Sequence, residues 1–199
     1  MVLKPKQITT PIGQSHWCAL NPDSPDTKFG SKWYVDLLVP KKDMKEFVSN
    51  VESFLDEARN QFGKDKKVNP LPIKEHFDED GNKTDFLVIK CKLVAEGQRK
   101  DGSLYQNKLV LFDCDTKPFT PEGTIGMGTK MRVSINMVAY DVQGVGVTFK
   151  IKSAQIIDVN YYDGASASDF DAVEGNTSNG DTSEDFKEEG EGGSTTFDF

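Results

Sequence analysis

Alternation of apolar and polar side chains is the feature that most constrains what this chain can fold into. Segment 32–39 places Trp33, Val35, Leu37 and Val39 on one side and polar groups such as Lys32 on the other. This two-residue period predicts a β-strand with one buried face. Similar patterns, separated by turn signals at Asp101-Gly102 and Gly144–Gly146, predict four more strands. They span residues 86–95, 104–113, 130–140 and 147–159, the last with Phe149, Ile151, Ile157 and Val159 pointing inward.

One helix interrupts this pattern. After Pro40 the apolar residues recur at steps of three and four, which predicts an amphipathic helix packed on the domain's own core. Asp43 and Glu46 resemble a capping box at its start, and Gly63 supplies a C-terminal stop. The stripe consists of Met44, Phe47, Val48, Val51, Phe54, Leu55, Ala58 and Phe62.

Five strands and one helix without a βαβ rhythm predict a mainly β domain. We expect a five-stranded antiparallel barrel of the OB type over residues 1–162. The long helix then falls between the first and second strands, whereas the commonest OB arrangement places it after the third.

Charge divides the chain at the end of this domain. Residues 163–199 contain eleven carboxylates and one lysine, a net charge of −10, whereas the whole chain carries −8. The first 162 residues therefore carry +2, and the acidic character belongs to the C-terminal segment. With few apolar residues, that segment is expected to be a disordered acidic tail.

The outer faces of the predicted strands combine cations with aromatic rings. Single-stranded DNA offers phosphates to neutralise and base faces to stack on, so this combination favours sequence-independent binding of single strands. Each residue taken alone has an ordinary structural explanation; lysine, for example, is common on edge strands, where it prevents aggregation. The DNA-binding hypothesis rests on the recurrence of cations and rings together over several strands. Trp33 is expected to be buried, whereas the pattern does not decide whether Trp17 is buried or exposed. The candidate DNA-binding residues are Lys32, Tyr34, Phe86, Lys90, Lys92, Arg132, Tyr140, Lys150 and Lys152.

The tail ends in Phe197, Asp198 and Phe199, an apolar pair that a purely solubilising segment does not need. As a flexible coil its 37 residues reach ~30 Å, enough to span a small barrel. We expect it to compete with DNA for the basic face or to bind a partner protein.

Other functional classes find little support in the sequence. The odd number of cysteines (Cys18, Cys91, Cys114) indicates free thiols in a reducing compartment. We expect no signal peptide, membrane span, metal or cofactor; His16 and Cys18 lack a second ligand pair for zinc. A nuclease or ligase fragment would have to use Asp113 and Asp115, the only close carboxylates near a strand end. Nothing in the sequence completes a metal site with them. A protein-interaction module with a DNA-mimicking tail remains the alternative.

The whole sequence resembles the replication single-stranded DNA-binding proteins of phages of the T7 type. The resemblance rests on the 34–37 strand with Pro40, Lys42-Asp43 and the helix, Lys90-Cys91, Leu109-Val110 with Asp113, Gly128–Val133, Tyr140, the 149–159 strand and Asp198-Phe199. It implies an OB barrel that coats and anneals single strands in replication, recombination and repair in the host cytoplasm. It also implies a tail that recruits the phage DNA polymerase and helicase, and a possible homodimer. Lys90 and Tyr140 match the family's basic and stacking residues, whereas Asp141-Val142 replaces a second aromatic and the tail is richer in glycine.

Overall fold

The structure is a computed structural model that describes residues 3–28, 30–99 and 101–162. The predicted tail, including Phe197, Asp198 and Phe199, lies outside the described residues. The elements are β1 Lys6–Thr9, β2 Gly13–Ala19, β3 Lys32–Pro40, a 3-10 turn Lys41–Asp43, α1 Lys45–Phe62, β4 Ile73–Phe77, β5 Lys83–Val94, β6 Glu96–Gln98, β7 Leu104–Gln106, β8 Leu111–Phe112, β9 Lys130–Asp141 and β10 Val145–Asp158.

Five strands close into a barrel in the order β2, β3, β5, β10, β9 and back to β2. The predicted five-stranded barrel is therefore confirmed. The prediction that it is wholly antiparallel is wrong, because β10 runs parallel to β5 with Lys150 beside Lys92. The reason is parity: directions cannot alternate all the way round a ring of five strands, so one neighbouring pair must run the same way.

Two strand assignments from the sequence need correction. The barrel's first strand is β2, which is not among the five predicted strands, so α1 follows the second barrel strand and not the first. The predicted strand 104–113 is interrupted: β7 pairs only with β6 in a separate two-stranded sheet, and β8 pairs with β10. Asn107 marks the interruption, because its backbone N–H and side-chain amide bond the carbonyls of Ala95 and Val94.

The core lies inside the barrel and beneath α1. Trp33, Val35, Leu37 and Val39 are all buried, as the alternation predicts. The helical stripe is also confirmed, since α1 packs against β9 and β10 with Phe47 edge-on to Phe149 at 5.7 Å between ring centroids. Gly63 ends the helix as predicted, but the capping box does not form. Met44 is the N-cap residue, and no side chain caps the first turn.

Irregularities in β10 explain one wrong burial prediction. The register with β9 shifts between Ile151 and Ser153 and again between Ile156 and Asp158. Each extra residue reverses the inward-outward alternation that follows it. Ala154 and Ile156 are therefore buried, and Ile157 is 36% exposed although the uninterrupted pattern predicts it inside.

Closure of the barrel depends on a close approach at Gly13. A Cβ atom there would lie 2.6 Å from the Leu38 carbonyl oxygen and 2.7 Å from a methyl carbon of Val39. We expect Gly13→Ala to lower the free energy of unfolding by about 1–3 kcal/mol, because added volume in a packed site displaces backbone. Urea unfolding measures this change. Gly123→Ala, where the new atom would meet only Tyr161 at 3.4 Å, is the control and should unfold like the parent protein.

Candidate nucleic-acid interface

A row of polar residues crosses the outside of the barrel on four adjacent strands. Tyr34 of β3 is the register partner of Lys92 of β5, which is the partner of Lys150 of β10, which is the partner of Asn136 of β9. Adjacent strands lie about 4.8 Å apart. The closure of the barrel therefore brings residues that are 116 positions apart in the sequence into one short row.

A groove of about 920 Å³ runs over one end of this row, and we call it the basic groove. Its floor is formed by β5, β9 and β10; one wall is the 70–74 segment and the other is the 105–108 segment. Of the described residues that line it, five are lysines and none is aspartate or glutamate. Those five are Lys74, Lys92, Lys108, Lys150 and Lys152.

The cations of the basic groove are uncompensated. Among the residues that the structure describes, no carboxylate forms an ion pair with any of the five lysines. Lys152 donates a hydrogen bond to the side-chain oxygen of Gln7 at 2.7 Å, a neutral partner. The groove is therefore a concentration of positive charge able to attract a polyanion.

Two tyrosine rings stand in the same groove, and each is seated on a glycine. The ring of Tyr140 lies against Gly146, where a Cβ atom would clash with it. The ring of Tyr105 lies over Gly97 in the same way, with a Cβ-to-hydroxyl distance of 2.6 Å, and the Arg99 guanidinium is 5.5 Å from its centroid. Both rings are half-buried, so each is held on one side and presents its remaining surface to the groove.

A second groove, of about 560 Å³, continues from the first, and we call it the mixed groove. The two share Pro72, Lys92 and Thr148 as lining residues, so they form one continuous surface. The mixed groove carries both signs of charge, with Lys28, Lys32 and Lys90 alongside Asp26 and Asp36.

The rings of the mixed groove are Trp17 and Tyr34. Trp17, whose burial the sequence pattern does not decide, is 60% exposed. Trp33 is buried as predicted, and its ring N–H donates to the Asn21 carbonyl at 2.7 Å. The Lys32 ammonium lies 5.7 Å from the centre of the Tyr34 ring. Partial burial, together with Asp26 and Asp36, raises the pKa of Tyr34, so its ring is uncharged at neutral pH.

One predicted cation is already engaged. The Lys90 ammonium lies 2.6 Å from a carboxylate oxygen of Asp36, whose side chain is mostly buried. A phosphate would have to share or displace this partner. Lys90 is therefore expected to contribute less to polyanion binding than Lys92 or Lys150.

Seven of the nine candidate DNA-binding residues line the two joined grooves, and two do not. Phe86 lies farther along β5, beside Pro40 of β3, and lines neither groove. Arg132 lies on the outer face of β9 but lines a third, separate depression. Those brought together are Lys32, Tyr34, Lys90, Lys92, Tyr140, Lys150 and Lys152.

Sequence reasoning missed several lining residues. The pattern of segment 104–113, which contains Tyr105, predicts one continuous strand, and no apolar–polar alternation selects Lys74. The Asp101-Gly102 turn signal does identify the β6–β7 hairpin that carries Tyr105. No local pattern, however, predicts that this hairpin and the 70–74 segment form opposite walls of one groove.

Among residues 3–28, 30–99 and 101–162, no group of three or more His, Cys, Asp or Glu side chains is placed to hold a metal ion. Within the same residues, no helix has the length and apolar character needed to cross a membrane.

Comparison with known proteins places the fold. No protein-family model and no curated protein sequence matches the chain. Among solved structures, gp2.5, a single-stranded DNA-binding protein encoded by bacteriophage T7, matches with a TM-score of 0.60 and 22% identity over 81% of this chain and 91% of its own. The single-stranded DNA-binding protein of bacteriophage Enc34, in complex with single-stranded DNA, matches with a TM-score of 0.56 and 14% identity over 76% and 86%. Without DNA, the Enc34 protein matches with a TM-score of 0.56 and 15% identity over 82% and 88%. The chain therefore has the fold of the phage single-stranded DNA-binding proteins of the T7 type, as the resemblance in its sequence predicts.

Proposed function

We propose that this protein binds single-stranded DNA without regard to sequence, with the strand lying along the basic and mixed grooves. One observation carries the proposal: five lysines that form no ion pair with any described carboxylate, and two tyrosine rings supported by glycine, line the same groove. Lysines neutralise phosphates, and rings stack on bases of any identity. The solved proteins with this fold are named for binding single-stranded DNA and not for catalysis, which supports a binding function over an enzymatic one.

The contacts available in the basic groove favour single strands over duplex DNA. Stacking on Tyr105 and Tyr140 requires bases whose faces are open, which a duplex does not offer. The lysine ammonium groups are flexible point charges without a fixed fork, so they contact phosphates and carry little information about base identity. We expect labelled oligo-dT to bind more tightly than a duplex of equal length, measured by fluorescence anisotropy at low salt.

Salt dependence tests the electrostatic part of the proposal. Affinity for oligo-dT should fall with salt on a log–log plot, with a slope of about −0.7 for each phosphate contacted. Lys150→Ala should weaken binding and make the slope shallower by about 0.7. Lys83→Ala is the matched control, because Lys83 lies outside both grooves and 2.9 Å from a carboxylate oxygen of Glu75. An affinity that does not respond to salt would contradict the proposal.

Aromatic substitutions test the stacking part. Tyr140→Ala and Tyr105→Ala should each weaken binding by ~1–3 kcal/mol on oligonucleotides of any sequence. Tyr140→Phe keeps the ring and should bind like the parent protein. Tyr162→Ala removes an exposed tyrosine outside the grooves and serves as the control. Equal affinities for Tyr140→Ala and Tyr140→Phe would remove this ring from the binding site.

The acidic tail belongs to a finer part of the proposal. With its net charge of −10, the segment 163–199 is a covalently attached competitor for the same cations, effective at a concentration of order millimolar. Deleting residues 163–199 should therefore strengthen binding to oligo-dT and make the salt slope steeper. Weaker binding after this truncation would show that the tail assists the domain instead.

The biological setting follows the family resemblance. We propose that the protein acts on single strands in phage replication, recombination and repair in the host cytoplasm, and that it anneals complementary strands. Phe197, Asp198 and Phe199 would recruit the phage DNA polymerase and helicase, and the protein would form a homodimer. The alternative is a protein-interaction module in which the barrel binds a protein and the acidic tail mimics DNA. Absence of binding to oligo-dT at low salt would favour that alternative.

A further inference from the structure

A third depression, of about 340 Å³, lies farther along the outer face of β9 and β10 and contains Arg132. The other described residues that line it are uncharged, and four of them carry hydroxyl groups: Thr9, Thr116, Ser134 and Ser153. Phe112 forms its apolar side. This depression is separate from the two joined grooves. Among the residues that the structure describes, Arg132 is its only charged lining residue.

The guanidinium of Arg132 is held in place by a neutral partner. Its Nε–H donates to the side-chain oxygen of Gln155 at 2.7 Å, and the Gln155 amide donates in turn to the carbonyls of Asp113 and Cys114, each at 3.0 Å. Gln155 thus anchors Arg132 to the 113–117 turn without neutralising it. Among the described residues the two terminal NH₂ groups of Arg132 have no partner, so a fork of donors remains for a ligand.

The 113–117 turn positions the opposite side of the depression. Asp113 accepts hydrogen bonds from the backbone N–H groups of Asp115 and Lys117 at 2.9 and 2.8 Å, which fixes the turn. Within it Thr116 adopts a φ of 66°, a backbone region that β-branched residues rarely occupy. The surrounding structure therefore holds Thr116 at the rim of the depression at an energetic cost, which is common at binding sites.

We propose that this depression binds a phosphate group of the polynucleotide that occupies the basic groove. The inference rests on the proposed function and adds a second anchoring point to it. Arginine presents a planar donor fork that matches phosphate oxygens, and hydroxyl groups supply further donors. Because no carboxylate among the described residues lines the depression, the charge of Arg132 is available to an anion.

Hydrogen bonds connect the depression to the basic groove. Lys152, a lining residue of that groove, donates to the Gln7 side chain, and Gln7 donates to the hydroxyl of Ser134 at 3.2 Å, which lines the depression. Along β9, Arg132 is four residues from Asn136 in the floor of the basic groove, about 13 Å at ~3.3 Å per residue. A strand with the 3.4 Å spacing of stacked nucleotides needs about four more nucleotides to reach it.

Arg132→Gln in the full chain tests this proposal. The variant removes the charge and keeps a side chain able to bond Gln155. With oligo-dT long enough to pass beyond the basic groove, affinity should fall about threefold to tenfold and the salt slope should become shallower by about 0.7. With the shortest oligo-dT that binds, affinity should be unchanged. Lys130→Gln is the matched control on the same face of β9, because Lys130 already lies 3.7 Å from a carboxylate oxygen of Asp158.

The outcomes separate this inference from the proposed function. Suppose that Lys150→Ala weakens binding, but that Arg132→Gln and Lys130→Gln have the same affinity for oligo-dT of every length. The depression then does not bind phosphate, and the inference is overturned. If Lys150→Ala also has no effect, the proposed function itself fails. If Arg132→Gln loses the same affinity for short and long oligo-dT, the proposal of a separate, distal phosphate site is likewise overturned. Urea unfolding of Arg132→Gln should match that of Lys130→Gln, since a lower stability would assign any loss to folding.

Two sources of phosphate can be distinguished in the same titration. For an internal phosphodiester, oligonucleotides with and without a 5′-phosphate bind equally, and the effect of Arg132→Gln depends on length alone. For a terminal phosphate, the parent protein binds the 5′-phosphorylated oligonucleotide more tightly, and Arg132→Gln abolishes that preference. Either pattern supports a phosphate at Arg132.

Discussion

The parallel contact between β5 and β10 is the constraint on which the rest of the structure depends. A ring of five strands must contain one such pair, and here it places Lys150 directly beside Lys92. Like charges on facing positions of a sheet repel each other. The domain tolerates this repulsion because both ammonium groups are exposed to water, and a bound polyanion would relieve it. The fold's closure and its attraction for anions therefore have a common origin.

Glycine shapes the proposed binding surface as much as lysine does. Gly146 and Gly97 allow Tyr140 and Tyr105 to lie directly against the backbone, and a ring held in this way loses little side-chain entropy when a base stacks on it. Backbone restricted by sheet pairing supports each ring, since Gly146 is the register partner of Tyr140 and Gly97 that of Tyr105. The rings are thus positioned before any ligand arrives, which lowers the cost of binding.

The parts of the fold that sequence predicts are those in which burial follows a simple period. The stripe of α1 and the inward residues of β3 were correctly predicted for this reason. Strand β2 gives no apolar alternation, because its inward positions are Gly13, where β3 approaches closely, and Ser15, whose hydroxyl donates to the Gly126 carbonyl. A register shift between Ser15 and Trp17 also breaks its alternation. Tight packing thus removed the apolar signal that identifies a strand.

The same limit applies to the candidate site. Outward lysines and tyrosines on regular strands could be selected by their alternation, and seven of the nine selected residues line the joined grooves. Phe86 satisfies the same alternation, yet it is separated from the others along β5. Alternation specifies the face of a strand on which a residue lies, but not its position around or along the barrel. That position depends on the register between strands and on loops such as the 70–74 segment, which are set by tertiary contacts.

The net charge of this protein does not indicate which ligands its surface attracts, because positive and negative charges are separated along the surface. The chain carries −8 overall, whereas the part of the basic groove formed by the described residues contains five lysines and no carboxylate. Charges farther apart than ~8–10 Å are largely screened at physiological salt, so local composition determines what each groove attracts. The mixed groove, with Asp26 and Asp36 among its lysines, attracts phosphate more weakly but exposes Trp17. Phosphate contacts should therefore concentrate in the basic groove, while stacking makes the larger contribution in the mixed groove.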